Sequence, residues 1–327
     1  MTMFRSSGKL WIGIPLLVVL ALVPLFSVVL GDSYYVTLAT RVLVFAIAAC
    51  GLNIALGFGG MVSFGHALYV ALGAYAVGIT ASYGMLNGWL QLLIAILAAG
   101  GISFLVGLVC LRTSGMVFIM ITLAFAQMFY FLAISIKAYG GDEGISIARS
   151  EFWPFSAMDH TGLYYGALCV LAILLLATRR LVASRFGMVL IGTRLNELRM
   201  RSLGYPTLRY RLAAYMLSGM VCAVAGVLLA NLTRFVSPSY LNWPISGELI
   251  VMIVLGGFGA ILGPVVGAGA VVFLEELIVN LSLPSFPGVE GFLHTHWKIA
   301  LGLLIVAVSV WGHRGRGRKQ AAPEGAK

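Results

Sequence analysis

Residues 179–211 read RRLVASRFGMVLIGTRLNELRMRSLGYPTLRYR, with eight arginines (Arg179, Arg180, Arg185, Arg194, Arg199, Arg201, Arg209 and Arg211) against one acid, Glu197. No other break in this apolar chain is as long or as polar, and the placement of the remaining segments follows from where it must lie. From Gly187 to Leu203, Met188, Ile191, Leu195 and Leu198 recur at spacings of three and four, while Arg194, Glu197 and Arg201 fall on another side. That period predicts a short surface helix held between two membrane spans. Arg194 and Arg201 stand at i−3 and i+4 from Glu197, a pattern that stabilises an exposed helix by about 0.2–0.5 kcal/mol per pair. Gly204 supplies a left-handed C-terminal cap, and Pro206 prevents continuation.

The rest of the chain supports a membrane setting. Of 327 residues, 61% are hydrophobic and only 10% charged, with mean hydropathy +1.01, whereas soluble domains carry roughly 25% charged residues. The apolar runs are about 20 residues long, the length an α-helix needs to cross a hydrocarbon core about 30 Å thick. They predict an all-α polytopic protein of about ten transmembrane helices, at 10–30, 36–57, 60–83, 89–111, 115–136, 162–181, 209–232, 246–262, 264–282 and 297–311. Alternating runs of about 10 residues, as in outer-membrane barrels, do not occur. Ten spans place both termini on one side, and the positive-inside rule makes that side cytoplasmic. Arg5, Lys9, Arg112, the eight central arginines, Arg314, Arg316, Arg318, Lys319 and Lys327 then lie inside, while Asp32, Asp142, Glu143, Glu151, Asp159 and Glu290 lie at the outer face. The expected organisation is a tail at 1–9, a transmembrane domain at 10–311 with a cytoplasmic loop 182–208 and an outer loop 137–161, and a basic tail at 312–327.

Composition also excludes several classes. The net charge of +10 does not indicate nucleic acid, because the basic residues sit at helix ends rather than on a soluble face. Cys50, Cys110, Cys169 and Cys222 each lie inside a span without paired spacing, which excludes a disulfide framework and a zinc site, so no metal is expected. The run Leu10–Leu30 is too long for a typical signal-peptide core and reads as a retained first span. In the outer loop, Gly140, Gly141 and Gly144 allow tight turns, and Phe152, Trp153 and Phe155 suit the membrane interface. The basic tail suits contact with anionic membrane lipids, at about 1 kcal/mol per basic residue.

The chain lacks a phosphate-cradling P-loop, an H-E-x-x-H helix and a G-x-S-x-G elbow, so no catalytic residue is expected and transport is the default function. Two glycine-rich interruptions, Leu56-Gly57-Phe58-Gly59-Gly60 and Leu255-Gly256-Gly257-Phe258-Gly259, break helices where spans meet. Their likeness hints at an internal duplication, although both fall near the cytoplasmic face, which does not suit an inverted repeat.

Residues 51–67, GLNIALGFGGMVSFGHA, followed by Gly73-Ala74-Tyr75, resemble the signature of branched-chain amino acid ABC transporter permeases, and more narrowly the LivM type. Thr122-Leu123-Ala124-Phe125-Ala126-Gln127 is a second match. The third is Glu248 through Pro264, with Val254-Leu255-Gly256-Gly257 and Gly263-Pro264-Val265-Val266-Gly267-Ala268. The resemblance implies a type II ABC importer-like permease, N-in and C-in, of the bacterial inner membrane. It also implies a LivH-like second permease as heterodimer partner, two cytosolic ATPase subunits that use ATP and Mg, and a periplasmic substrate-binding protein. This chain itself would bind no cofactor.

By the same resemblance, the 182–208 loop carries a coupling helix that meets the ATPase, with Gly187, Arg194, Asn196, Glu197, Arg201, Leu203 and Gly204 as its expected residues. Asn196-Glu197 and Leu203-Gly204 match the family pattern, whereas Arg199-Met200-Arg201 departs from the usual alanines. A basic helix facing lipid without a partner is the alternative. Thr122, Phe125 and Gln127 are expected on the translocation pathway, although Thr122 and Gln127, five apart, do not share one face. Asn53, Gly57, Gly59, Gly60, Ser63 and His66, with Gly256, Gly257 and Gly259, are helix-break or gating candidates. Asn53 and His66 are read first as partners for unwound backbone. Glu275 and Glu276, inside a span, are read first as structurally paired, since charges at mid-membrane cost about 2.5–3.5 kcal/mol. Urea, short amides or an aromatic acid are alternative solutes, and an ion-coupled secondary carrier is the alternative class.

Overall fold

The computed structural model describes residues 34–152 and 160–279, with Leu20, Pro24, Ile299 and Gly302 besides. The expected spans 10–30 and 297–311, apart from those four positions, and both tails lie outside the described residues.

Within them the chain is helical: α1 (Tyr34–Asn53), which runs on as a π-helical turn at Ile54–Phe58, α2 (His66–Ser82), α3 (Gly88–Cys110), α4 (Met116–Ser135), α5 (His160–Ala183), α6 (Arg185–Leu195), α7 (Glu197–Ser202), α8 (Thr207–Thr233), α9 (Trp243–Gly256) and α10 (Gly263–Val279). Tyr34–Phe58, α3, α4, α5 and α8 are each long and apolar enough to cross a membrane. They match the expected spans to within a few residues, because apolar length is read locally from the chain. Two expected spans are corrected. The span 60–83 becomes helical only at His66, and 246–262 becomes the shorter helix Trp243–Gly256, shifted toward its N-terminal end. In both, glycines with positive φ (Gly60 at 70°, Gly257 at 102°, Gly259 at 70°) occupy backbone that a helix cannot use.

Helix α8 is central, packed mainly on α1, α2 and α3, while α10 packs on α9 and α1, and α5 on α1. Lipid tails are as apolar as leucine, so association rests on close backbone approach and buried polar contacts rather than on hydrophobic burial. Gly73 of α2 lies against the Ala223 carbonyl and Gly226 of α8 against the Val70 carbonyl; a Cβ would come within 2.0 and 1.9 Å of those oxygens. The two helices therefore touch through backbone, with Ala223 and Ala230 of α8 fully buried beside the contact.

At the end of the bundle away from α6 and α7, the loops join. Strand β1 (Ile145–Ser146) pairs antiparallel with β2 (Phe235–Val236), and Gly88 N and Glu151 N bond to Glu151 O and Leu86 O at 2.8 and 2.7 Å. Gly140, Gly141 and Gly144 take positive φ (81°, 48° and 79°), as tight turns require. Phe152 packs edge-on to Trp89 at 5.6 Å, whereas Trp153 and Phe155 lie outside the described residues. The loop is also sewn to the helices through a buried polar chain that the sequence did not disclose. Ser150 N donates to Asn231 Oδ1 at 2.7 Å, Ser150 Oγ donates to Gln91 Oε1, Gln91 Nε2 donates to Met85 O at 2.8 Å, and Arg149 Nε donates to Asn231 O at 3.2 Å. Gln91 and Asn231, two amides inside apolar spans, were the available signal.

Candidate functional site

The first glycine interruption opens the C-terminal end of α1. In the π turn Ile54–Phe58 the hydrogen bonds lengthen in sequence: Gly59 N reaches Ile54 O at 3.3 Å and Met61 N reaches Ala55 O at 3.0 Å. Met61 N would otherwise complete an α turn to Gly57 O, so that carbonyl is released. Gly57 is required here, because a Cβ would fall 1.9 Å from Asn53 Oδ1 and 2.9 Å from Gly259 N. Asn53 Nδ2 donates to Ala260 O at 3.0 Å. The two glycine interruptions, about 200 residues apart in the chain, are thus one contact at one end of the bundle.

The start of α2, six residues on, is held by two other elements and by its own loop. Phe64 N donates to Thr122 Oγ1 of α4 at 3.3 Å, Gly65 N to Ser63 Oγ at 3.1 Å, and Ala67 N to Ser246 Oγ of α9 at 2.8 Å. These side chains meet the donors that a helix N-terminus leaves open. His66, fully buried, places Nε2 at 2.8 Å from Ser218 Oγ, while the Ser218 hydroxyl donates to Gly51 O at 2.7 Å. The serine proton is spent on Gly51, so the imidazole Nε2–H is the donor to Ser218 Oγ. Tyr69 and Tyr215 stand edge-on to the ring at 5.5 Å each. Asn53 thus bonds backbone beside the second interruption, while His66 bonds the Ser218 side chain.

The loop 182–208 differs from the expected single helix. It is two helices, α6 and α7, broken at Asn196, whose extended backbone (φ −158°, ψ 99°) turns its side chain to accept from Arg199 N at 3.0 Å. Asn196 is therefore the N-cap of α7, a residue type that prefers that position to a helix interior. Gly204 ends α7 as expected, at φ 85°, with Tyr205 N to Met200 O at 3.2 Å and Gly204 N to Arg201 O at 2.9 Å. Glu197 takes Arg201 at 2.6 Å but not Arg194; its second partner is Arg211 of α8, at 3.1 Å, and Thr207 Oγ1 adds a bond at 3.3 Å. Arg194 instead donates from Nη1 to Gly57 O. Of the apolar stripe, Met188, Leu195 and Leu198 are exposed, the last two at 80% and 76%, whereas Gly187, Val189, Leu190 and Thr193 are the buried residues of α6. Gly187 turns the chain into α6, where a Cβ would lie 2.4 Å from Leu181 O. Met200, which replaces a usual alanine, lies over Gly192 and joins α7 to α6.

Residues 34–309 match the family described as "Branched-chain amino acid transport system / permease component". The chain belongs to that permease family. Among its relatives is the "High-affinity branched-chain amino acid transport system permease protein LivM" of Escherichia coli (strain K12), 28% identical over 305 residues, covering 86% of this chain and 69% of the relative. The LivM of Salmonella typhimurium is 27% identical over the same shares. The "Autoinducer 2 import system permease protein LsrC" of Salmonella typhi is 25% identical over 302 residues, covering 82% of this chain and 79% of the relative. No solved structure matches the chain. With five apolar helices of membrane-spanning length among the described residues, this permease is a multi-pass protein of the bacterial inner membrane.

The three pathway candidates of the permease separate in the structure. Thr122 is fully buried, donating to Ile119 O at 2.9 Å and accepting from Phe64 N, so it secures the helix break. Phe125 packs against the core. Gln127 Nε2 is buried without a hydrogen-bond partner among the described residues. The two acids of α10 have partners. Glu275 receives Arg41 of α1 on both oxygens at 3.0 and 2.9 Å, and Glu276 accepts from Tyr34. Among the described residues no group of three His, Cys, Asp or Glu is placed to hold a metal.

Proposed function

We propose that this chain is the permease subunit of an ATP-binding cassette importer that moves branched-chain or related small amino acids inward by alternating access. In this reading it has ten spans, is type II importer-like, and keeps both termini inside. It pairs with a LivH-like second permease, two cytosolic ATPase subunits that bind ATP and Mg and perform the hydrolysis, and a periplasmic binding protein. The observation that carries the reading is α6–α7. This paired element stands outside the helix bundle, is clasped to α8 by Glu197, and presents Leu195, Leu198 and Leu203 to the surroundings. Exposed leucines on a rigid polar element suit a protein groove better than water. The substrate rests on the LivM relatives; the LsrC relatives favour a second reading, the same machine carrying another small solute.

Uptake by membrane vesicles that contain the assembled transporter tests both readings. Radiolabelled leucine should enter with ATP and binding protein, and valine and isoleucine should compete. Uptake driven by an ion gradient without ATP would end the ATPase reading, and loss of competition to an unrelated solute would end the amino acid one. Glu275→Gln with Glu276→Gln should leave ATP-driven uptake within about threefold, because the pairs are structural and Gln still accepts a bond from Arg41. A proton-coupled carrier would lose transport altogether. Cysteine at position 127 should react with small water-soluble thiol reagents, given the unmet amide of Gln127; complete protection in every nucleotide state would make Gln127 a packing residue.

A further inference from the structure

Resting on the coupling role of α6–α7, we infer that Arg194 is a positioning residue, a latch through which movement of α6 reaches the broken end of α1. Three observations converge on it. The Gly57 carbonyl loses its α-helical donor when Met61 N bonds to Ala55 O, and the Arg194 guanidinium takes that place. A carbonyl at a helix C-terminus is the negative end of the helix dipole, so a cation there is both donor and counter-charge. The arginine stem crosses Gly60, where a Cβ would lie 2.8 Å from Arg194 Cγ, and the same Nη1 lies 3.6 Å from the Cβ position of Gly259. One side chain of α6 therefore bonds the first glycine interruption and lies beside the second.

The path from a docked partner is contiguous. A push on α7 is passed to α6 where Met200 lies on Gly192, and α6 carries Arg194, whose bond grips the π turn at Gly57. Asn53, one turn back, ties the same end of α1 to Ala260 in the second interruption. Displacing α6 must break the Arg194 bond or draw Gly57 with it, and either event changes the stability of the break. The glycines leave the turn without side-chain bulk that would resist such a change.

Hydrogen exchange on the full-length chain in lipid nanodiscs tests the latch directly. Arg194→Ala should raise exchange at Gly59, Gly60 and Met61 about tenfold, since one charge-assisted bond is lost. Arg194→Lys should recover part of that protection. Unchanged exchange in Arg194→Ala, or Arg194→Lys no better protected than Arg194→Ala, overturns the latch. Transmission is read in the assembled transporter as leucine imported per ATP hydrolysed, normalised to assembled complex. Arg194→Ala should lower that ratio about tenfold with Lys intermediate, and a ratio equal to wild type overturns transmission. Glu197→Arg, measured in parallel, separates the failures. If it too leaves transport intact the coupling role of α6–α7 falls, and if only Arg194→Ala is silent the latch alone falls.

Discussion

Replacing Glu197 by arginine is expected to leave the permease inserted in the membrane while ATPase association and uptake fall at least tenfold. Glu197 is the acid that organises α7: Arg201 binds one oxygen, Arg211 of α8 the other, and Thr207 adds a third contact. The substitution removes two ion pairs and sets a third cation between two others. Each pair is partly exposed and worth about 0–1 kcal/mol, so the fold of the bundle should survive. A six-residue helix has far less in reserve. Helix α7 is otherwise held by the Asn196 cap, the Gly204 terminus and Met200 on Gly192, and repulsion on this scale opens such an element locally. Glu197→Gln should fall between, because its single amide oxygen can still accept on one side while the charge and the second acceptor are lost. Co-purification with the ATPase and vesicle uptake read the outcome. Normal values of both in Glu197→Arg would remove α7 from the coupling surface.

The second large effect is expected at Gly226→Ala, one methyl group in the middle of α8. Its Cβ would stand 1.9 Å from the Val70 carbonyl and 3.0 Å from Ala74 N. Both are backbone, so nothing can rotate away and α2 and α8 must separate. Ordinary overpacking costs about 1–3 kcal/mol, and a clash with main chain between central helices belongs at or above that upper value. Because α8 also packs on α1 and α3, the shift would reach the break at Gly57 through its neighbours. Gly101→Ala is the control: it lies on α3 with nothing within 4 Å of the added methyl. After graded heating, the monodisperse fraction of Gly226→Ala should collapse well below that of Gly101→Ala. Equal heat resistance would show that the α2–α8 contact is looser than the structure has it.

The reading of the sequence and the structure part company at particular residues. Apolar length placed Tyr34–Phe58, α3, α4, α5 and α8 closely, since a membrane span is defined by neighbours along the chain. Glycine chemistry located both interruptions and the turns at Gly140, Gly141 and Gly144. The same reasoning made 187–203 one helix, because Asn196 costs little inside a helix and only its extended backbone reveals it as a cap. It paired Arg194 with Glu197 by spacing, yet an arginine side chain reaches several ångströms, and the stronger claim came from a freed carbonyl 137 residues away. The apolar period at Met188, Leu195 and Leu198 does not say which face is buried, because burial depends on which side of α6 meets the bundle.

What the sequence by itself determined is the class of the molecule: a polytopic helical membrane protein, its five long apolar helices among the described residues, its glycine breaks and the polar segment between α5 and α8. These follow from hydropathy, length and φ preferences, which act within a few residues. What only the tertiary structure decided is which distant groups meet: Gly57 with Gly259, Arg194 with Gly57, Glu197 with Arg211, Glu275 with Arg41, and Gly73 and Gly226 with facing carbonyls. The physical reason is that unpaired backbone and charge inside a bundle take whichever partner the packing brings within about 3 Å, and that distance is set by helix placement, which no local pattern encodes.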